Sequence, residues 1–564
     1  MTGVRSMTST AHLRVFRILS DEDSNRLVVA GLICVTTYTD NRLGEPRSHV
    51  IKAYRANVVS DLAKRAEAIE TPTTYSGIRV KALREEYAEE AQLRNAMFAS
   101  GQVKSHPSGT GPSSGPGLGS RQPSSTRESV AQSFFFDNFV SANYMSYLEG
   151  ITPDDFLLKP IVACGLAALA NRENDADGLE VARRYYIDAI AATNTALRQP
   201  RRVKEDTTLI AVALLGCFER LAWESSSSML SWKHHVEGAT QLLRLRGRGQ
   251  LRTPSGRASF REMRSNITLN ALYSEVEVPD FVMQWSAALE FDPMQTPSDQ
   301  LYVLAARIGS IRSSFRIGDQ NDQRLFDLAT TLERDLLRWS EEALGVYSFR
   351  SVHDSSSPYS LNGTRHEYGL PQAHRSWNTW RCLNIILSRT QEAIVRRSWP
   401  ILAQVPPPSH HYRAIRDRTT IDICLAAACV LGDDSIDDPP EGSIASGYQL
   451  VVPLFLAGTC LLEQLAEPSV SPGGSRIIFV DESLHAAPSN EASIQLAWII
   501  ERLDYISGQG IRWAFSFSKL LKGQSRVYYD VGRSRVVQEA EMEESPNNEV
   551  LDLSSFVEAS SGED

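Results

Sequence analysis

Cysteine is scarce and dispersed in this 564-residue chain. The seven residues are Cys34, Cys164, Cys217, Cys382, Cys424, Cys429 and Cys460. An odd number without framework spacing excludes a disulfide scaffold and a sequence-local zinc module. Most sit in apolar runs, so they are expected to be reduced, buried thiols in a reducing compartment. Long hydrophobic runs are also missing. The longest membrane-like stretch, Leu450–Leu462, has thirteen residues and an internal proline, short of the ~20 that span a bilayer. A buried core helix is expected there, with no membrane partner, and residues 1–25 lack the apolar core of a signal peptide.

Positive charge is not in excess. The formal net charge is −10, and residues 536–564 hold nine acidic residues without a Lys or Arg, so the rest is close to neutral. Residues 1–100 carry 14 Lys/Arg against 12 Asp/Glu. A near-neutral body offers no electrostatic basis for wrapping nucleic acid. Catalytic signatures are missing too. No HExxH occurs, and no phosphate loop with a Gly-Lys-Ser/Thr end. No Gly-x-Ser-x-Gly elbow stands between a strand and a helix.

What is present is helical periodicity. A 42% hydrophobic, 22% charged composition marks a globular chain. Residues 1–100 form a region of uncertain structure, with a β-branched run at 27–37 and a charged helical stretch at 78–97. Residues 101–129, rich in Gly, Ser and Pro, read as a flexible linker. From 130 to 522, apolar spacing of three and four residues predicts an all-α body of packed helix pairs. Phe135, Phe139 and Met145 mark the first helix, and Pro153-Asp154-Asp155 starts the second. Others are expected at 178–197, 206–223, 231–246 (closed by Gly247), 257–273, 299–316, 322–343, 374–399, 414–431, 449–466 and 490–519. No repeating βα alternation and no fixed-period repeat is evident.

Several clusters invite chemistry. Asp433-Asp434-Ser435-Ile436-Asp437-Asp438 matches the DDxxD pattern by which helical terpene synthases hold magnesium and a diphosphate. Asp433, Asp434 and Asp437 would then serve a magnesium-dependent enzyme, the alternative reading. Such a site needs a second facing motif, and Asn321-Asp322 lacks the required spacing. The acids also run into Pro439-Pro440, which favours a solvated loop. His234-His235 and His410-His411 are adjacent pairs, and helix neighbours point about 100° apart, so packing or surface roles are expected. Arg244, Arg246, Arg248 and Arg252 surround a helix end; compensation of the helix dipole by exposed side chains is the expectation, ahead of phosphate contact. No catalytic, cofactor-binding or metal-ligating residue is assigned. The tail 536–564 interleaves acids with Val550, Leu551, Leu553, Phe556 and Val557, the composition of an acidic transcription-activating segment.

The order of the helical motifs between 155 and 250 resembles a known family. Ala163–Asn171 (ACGLAALAN), Ala182–Tyr186 with Ala189-Ile190, Asp206–Cys217 (DTTLIAVALLGC), and Trp232…His235…Gly238-Ala239…Leu242-Leu243…Arg246-Gly247 carry the likeness. Tyr448–Gly458 (YQLVVPLFLAG), Trp498–Leu503 and Gly510-Ile511 continue it. The chain resembles the fungal-specific regulatory domain, or middle homology region, of zinc-binuclear-cluster transcription factors. That resemblance implies a nuclear regulator of a metabolic or biosynthetic gene set. It would sense a small-molecule effector or a partner regulator, contact the transcription machinery, and work as a homo- or heterodimer. The family's six-cysteine zinc module is not encoded, since Cys34 alone precedes residue 150. DNA association is therefore expected to be indirect or weak. Loss of the module and a gene start placed downstream of it both remain open.

Overall fold

The computed structural model describes residues 126–537 apart from short connecting segments, the longest of them 432–442. The described region is 80% helical, so the all-α expectation holds. Helix α1 (Arg127–Phe139) begins at the end of the expected linker, where the Thr126 side chain accepts from the Ser129 backbone N–H. Met145 is not part of it; it sits at φ 50° ahead of a 3₁₀ turn and is still buried.

Small residues explain the next element. α2 (Asp155–Glu173) is capped by Asp154 and ended by Asn174 in the left-handed region. It is buried on nearly every side because Ala163, Cys164, Gly165, Ala167 and Ala168 leave room for neighbours to lie on its backbone. A Cβ at Gly165 would run into the Ala131 carbonyl of α1. α3 (Ala176–Leu197), capped by Asp175, folds back beside α2. α4 (Asp206–Ala222) and α5 (Ser226–Arg246) make the second pair, and α5 ends at Gly247 with φ 73°.

The middle of the body starts with α6 (Pro254–Ser274), with Thr253 as cap and Pro254 in the first turn. Next come α7 (Asp280–Ala288), which the periodicity missed, and α8 (Pro297–Ile317). α9 (Asp322–Ala343) follows; its buried Leu325, Ala329, Leu332, Leu336, Trp339 and Ala343 recur at helical spacing. α10 (Ala373–Ser398) runs parallel to α8: Ser298 bonds Ser376 near one end, and Arg312 donates to Thr390 near the other. α11 (Ser409–Leu431) and α12 (Ser443–Leu465) complete this layer. The apolar helix is longer than the thirteen-residue run suggested. Ile444–Leu465 is long and apolar enough to cross a membrane, yet 83% of its apolar window is buried within the fold.

One expected helix at 490–519 is two, α13 (Glu491–Gly508) and α14 (Arg512–Leu521). Gly510 makes the break, with φ 102° and no room for a Cβ against the Ala168 carbonyl. Asn171 of α2 donates to the carbonyls of Leu221 and Gly510, tying the core helix to this turn.

Two small antiparallel sheets interrupt the helices. β1 (Phe349–His353) pairs with β2 (Thr364–Tyr368). A second sheet has the order β3 (Ser469–Val470), β4 (Arg476–Val480), β5 (Val527–Asp530), β6 (Arg535–Val537). The body therefore continues past residue 522 to 537, and Tyr529 of β5 is fully buried.

Candidate functional site

The residues singled out from sequence fall into two groups. Val550, Leu551, Leu553, Phe556 and Val557 lie outside the described residues, as do Asp433, Asp434 and Asp437 and Cys34. The facing half of the magnesium reading is described and is otherwise engaged. Asn321 caps α9, and Asp322 accepts hydrogen bonds from Arg397 and Ser398. Burial opposes ionisation of Asp322, but those bonds hold its carboxyl below the ordinary range. Among the described residues no group of three His, Cys, Asp or Glu could hold a metal ion.

One member of each histidine pair has a partner within the fold, while His410 is exposed. His235 is buried against Tyr186, whose hydroxyl donates to Glu219 and lies 3.1 Å from His235 Nε2. Burial, reinforced by neighbouring His234, pushes His235 down to about 3. His411 Nε2 lies 3.2 Å from Glu333. Of the four arginines, Arg244, Arg248 and Arg252 are exposed. Arg246 is not: its guanidinium pairs with Asp206 and donates to the Glu205 carbonyl, so it joins the end of α5 to the start of α4. That contact corrects the picture of four freely exposed side chains.

Tertiary packing creates a site that the sequence did not announce. A cleft of 180 Å³ opens between α6, α8, α10 and α12, with Arg220 of α4 and Trp513 of α14 on one side. A hollow of 20 Å³ shares Arg220, Leu269, Tyr273, Val452 and Trp513 with it and extends toward Phe455 and Phe517. From α6 come Glu262, Ser265, Asn266, Leu269 and Tyr273, three or four residues apart and so on one helix face. From α10 come Arg375, Asn378, Thr379, Cys382, Leu383 and Ile386; from α12, Tyr448, Gln449, Val452 and Pro453. Pro453 lacks the N–H that the Gln449 carbonyl would accept in an unbroken helix, and both residues face the cleft.

The cleft has a polar and an apolar end. Arg261 and Arg264 of α6 pair with Asp299 of α8, so the starts of α8 and α10 meet α6 near Glu262, Tyr302 and Arg375. Arg312 of α8 reaches Leu272 O, Glu275 and Thr390, which places Leu272, Leu383 and Ile386 toward the other end. Midway, the Arg220 guanidinium lies over the rings of Tyr448, Trp232 and Trp513 at 4.8, 5.5 and 5.7 Å. Glu262 accepts from Asn266 at 3.3 Å. Burial pushes the Cys382 thiol up to about 12, which removes it as a nucleophile near neutrality. The arrangement is suited to holding a small molecule by hydrogen bonds and apolar contact.

Behind the cleft lies a charged network. Arg389 is fully buried and donates to Tyr529 at 2.9 Å, to Thr459 at 3.1 Å and to Glu463. Arg416 also pairs with Glu463, at 3.4 Å, and with Glu392, at 3.0 Å; Arg476 reaches Glu392 at 3.3 Å. Burial works against the charge on Arg389, but Glu463 and Tyr529 outweigh it and raise its affinity for the proton. The network locks α10, α11 and α12 to the second sheet.

These walls coincide with a recognised family region. The family model described as "Fungal specific transcription factor domain" matches residues 145–469, more than half of the chain. No curated protein and no solved structure matches the chain. Its helical architecture, and the order of motifs along α2 to α5 and α12, agree with that match, and the chain belongs to the fungal-specific transcription factor domain family.

Proposed function

We propose that this protein is a nuclear transcription regulator whose helical body senses a small molecule in the cleft between α6, α8, α10 and α12. One observation carries the reading: all four helices that wall the cleft lie inside the region matched to the transcription factor domain. A lining that combines amides, hydroxyls and apolar groups suits recognition rather than bond-making. The target would be a metabolic or biosynthetic gene set. The acidic tail, with Val550, Leu551, Leu553, Phe556 and Val557 as its apolar contacts, would dock on the transcription machinery.

DNA association would run through a partner regulator or a dimer, a reading supported by the near-neutral charge of the body. Tethering the full chain to a heterologous DNA-binding domain tests the regulatory role. A reporter driven well away from the level of the tether alone is the expected result, and an unchanged level overturns it. A gel-shift titration with the purified chain tests the DNA clause: weak binding without sequence preference is expected, and tight selective binding contradicts it.

A further inference from the structure

The near-neutral charge of the body conceals one uneven surface. Two segments free of acidic residues, 198–204 and 244–257, carry its cations. They are separated along the chain and meet at Asp206, the first residue of α4. The Asp206 carboxylate pairs with Arg246 at the end of α5 and accepts from Ser255 at the start of α6, at 2.8 Å. Arg246 also donates to the Glu205 carbonyl. Arg198, Arg201, Lys204, Arg244, Arg248 and Arg252, all exposed, therefore crowd around this junction. Among the acids beside them, Glu205 is exposed and Asp154 pairs with Arg202. Asp280 adjoins Phe281, whose ring lies 5.2 Å from the Arg244 guanidinium.

Fold stability accounts for two of the six. Arg198 caps the end of α3 and Arg244 stands in the last turn of α5, where a cation offsets the negative end of the helix dipole. The other four stand at the opposite kind of end. Arg201 and Lys204 precede α4, and Arg248 and Arg252 precede α6, whose first turn holds no acidic residue. A helix N-terminus carries positive partial charge and repels cations. Arg201, Lys204 and Arg248 have no ion pair among the described residues. A bound polyanion would relieve both repulsions.

We infer that this face contacts the phosphate backbone of double-stranded DNA, without reading its bases. The inference rests on the proposed regulatory role and names the surface behind the weak, sequence-independent binding expected there. Five of the six cations are arginines, whose planar guanidinium matches phosphate oxygens in pairs. The acidic tail of this chain is the rival occupant, and the surface does not suit it. The tail interleaves its acids with apolar side chains, whereas no exposed large apolar residue lies between 198 and 257 among the described residues. A duplex presents a dense row of charges and asks for no apolar groove.

The test is fluorescence anisotropy of a labelled duplex of about 20 base pairs, titrated with the full chain at salt from about 50 to about 200 mM. Each phosphate contact contributes about −0.9 to the slope of log affinity against log salt, so about four to six contacts predict about −4 to −5. Arg201→Gln/Lys204→Gln/Arg248→Gln is expected to flatten that slope by about 3 and to weaken binding at least about tenfold at about 100 mM salt. Its melting temperature is expected to hold or rise, since mutually repelled charges are removed. Arg324→Gln/Arg334→Gln/Arg338→Gln, on exposed positions of α9, makes the same change in net charge and is expected to leave the slope unchanged. No binding at about 50 mM salt, or a slope near zero, overturns the inference. So does an unchanged slope in the first variant, an equal loss in both variants, or tighter binding of a peptide spanning 538–564 than of the duplex. Failure here with an active tethered reporter sinks the surface assignment alone. A silent reporter with duplex binding that depends on Arg201, Lys204 and Arg248 sinks the regulatory reading instead.

Discussion

At Gly165, a single hydrogen in place of a side chain lets α1 rest directly on α2. Substitution by valine forces the two helices apart and is expected to cost at least about 2 kcal/mol, read as a lowered denaturation midpoint. His235 makes a second residue-scale prediction. Its folded value of about 3 lies below the ordinary 6.5, so between those values the unfolded chain binds a proton that the folded chain refuses. Stability is therefore unaffected above pH 6.5 and falls as pH drops below it, by about 1–2 kcal/mol at pH 5. Denaturant titrations at pH 7 and pH 5 read this loss, and His235→Gln should remove that share of it. An equal pH dependence in the variant would contradict the assignment.

Between elements, the buried ions matter more than any one helix. Glu463 faces both Arg389 and Arg416, so Glu463→Leu leaves two guanidinium groups buried without their shared carboxylate. Removing one partner of a buried ion pair costs about 3–5 kcal/mol; the variant is expected to melt far below the parent or to be insoluble. A variant as stable as the parent would show that the network does not hold α10, α11 and α12 together.

The elements also show what sequence periodicity can carry. α9 is legible to the residue because its apolar stripe faces one core and its other face meets water. α13 and α14 merge in the periodic pattern because both are apolar, and only the crowding of Gly510 against α2 explains the break. The strands went unread since they are two to five residues long and edge a helical body. The cleft was invisible for another reason. Thr268, Leu269 and Cys382 look like ordinary core positions until α8, α10 and α12 are placed around them. Asp433, Asp434 and Asp437, the loudest motif in the sequence, have no described partner motif, because Asn321 and Asp322 are committed to a helix cap and to Arg397.

For the whole molecule, the proposed function couples a helical body that senses a ligand to an acidic tail that acts on transcription. Deleting residues 538–564 from the tethered protein is expected to lower reporter output several-fold while leaving the thermal unfolding of the body unchanged, because a segment that interleaves acids with a few apolar residues is suited to docking on a partner rather than to filling a core. Full output from the truncated chain would remove the tail from the mechanism.

The central claim is that occupancy of the cleft sets transcriptional output. Thr379 lines the cleft on a half-buried face of α10, so Thr379→Trp fills the space with little disturbance elsewhere. The decisive measurement compares tethered-reporter output of the parent and Thr379→Trp with and without a small molecule shown by calorimetry to bind the parent. The account predicts that the parent responds and that the filled variant is fixed at one level, blind to the compound. Identical responses from the two proteins would contradict it.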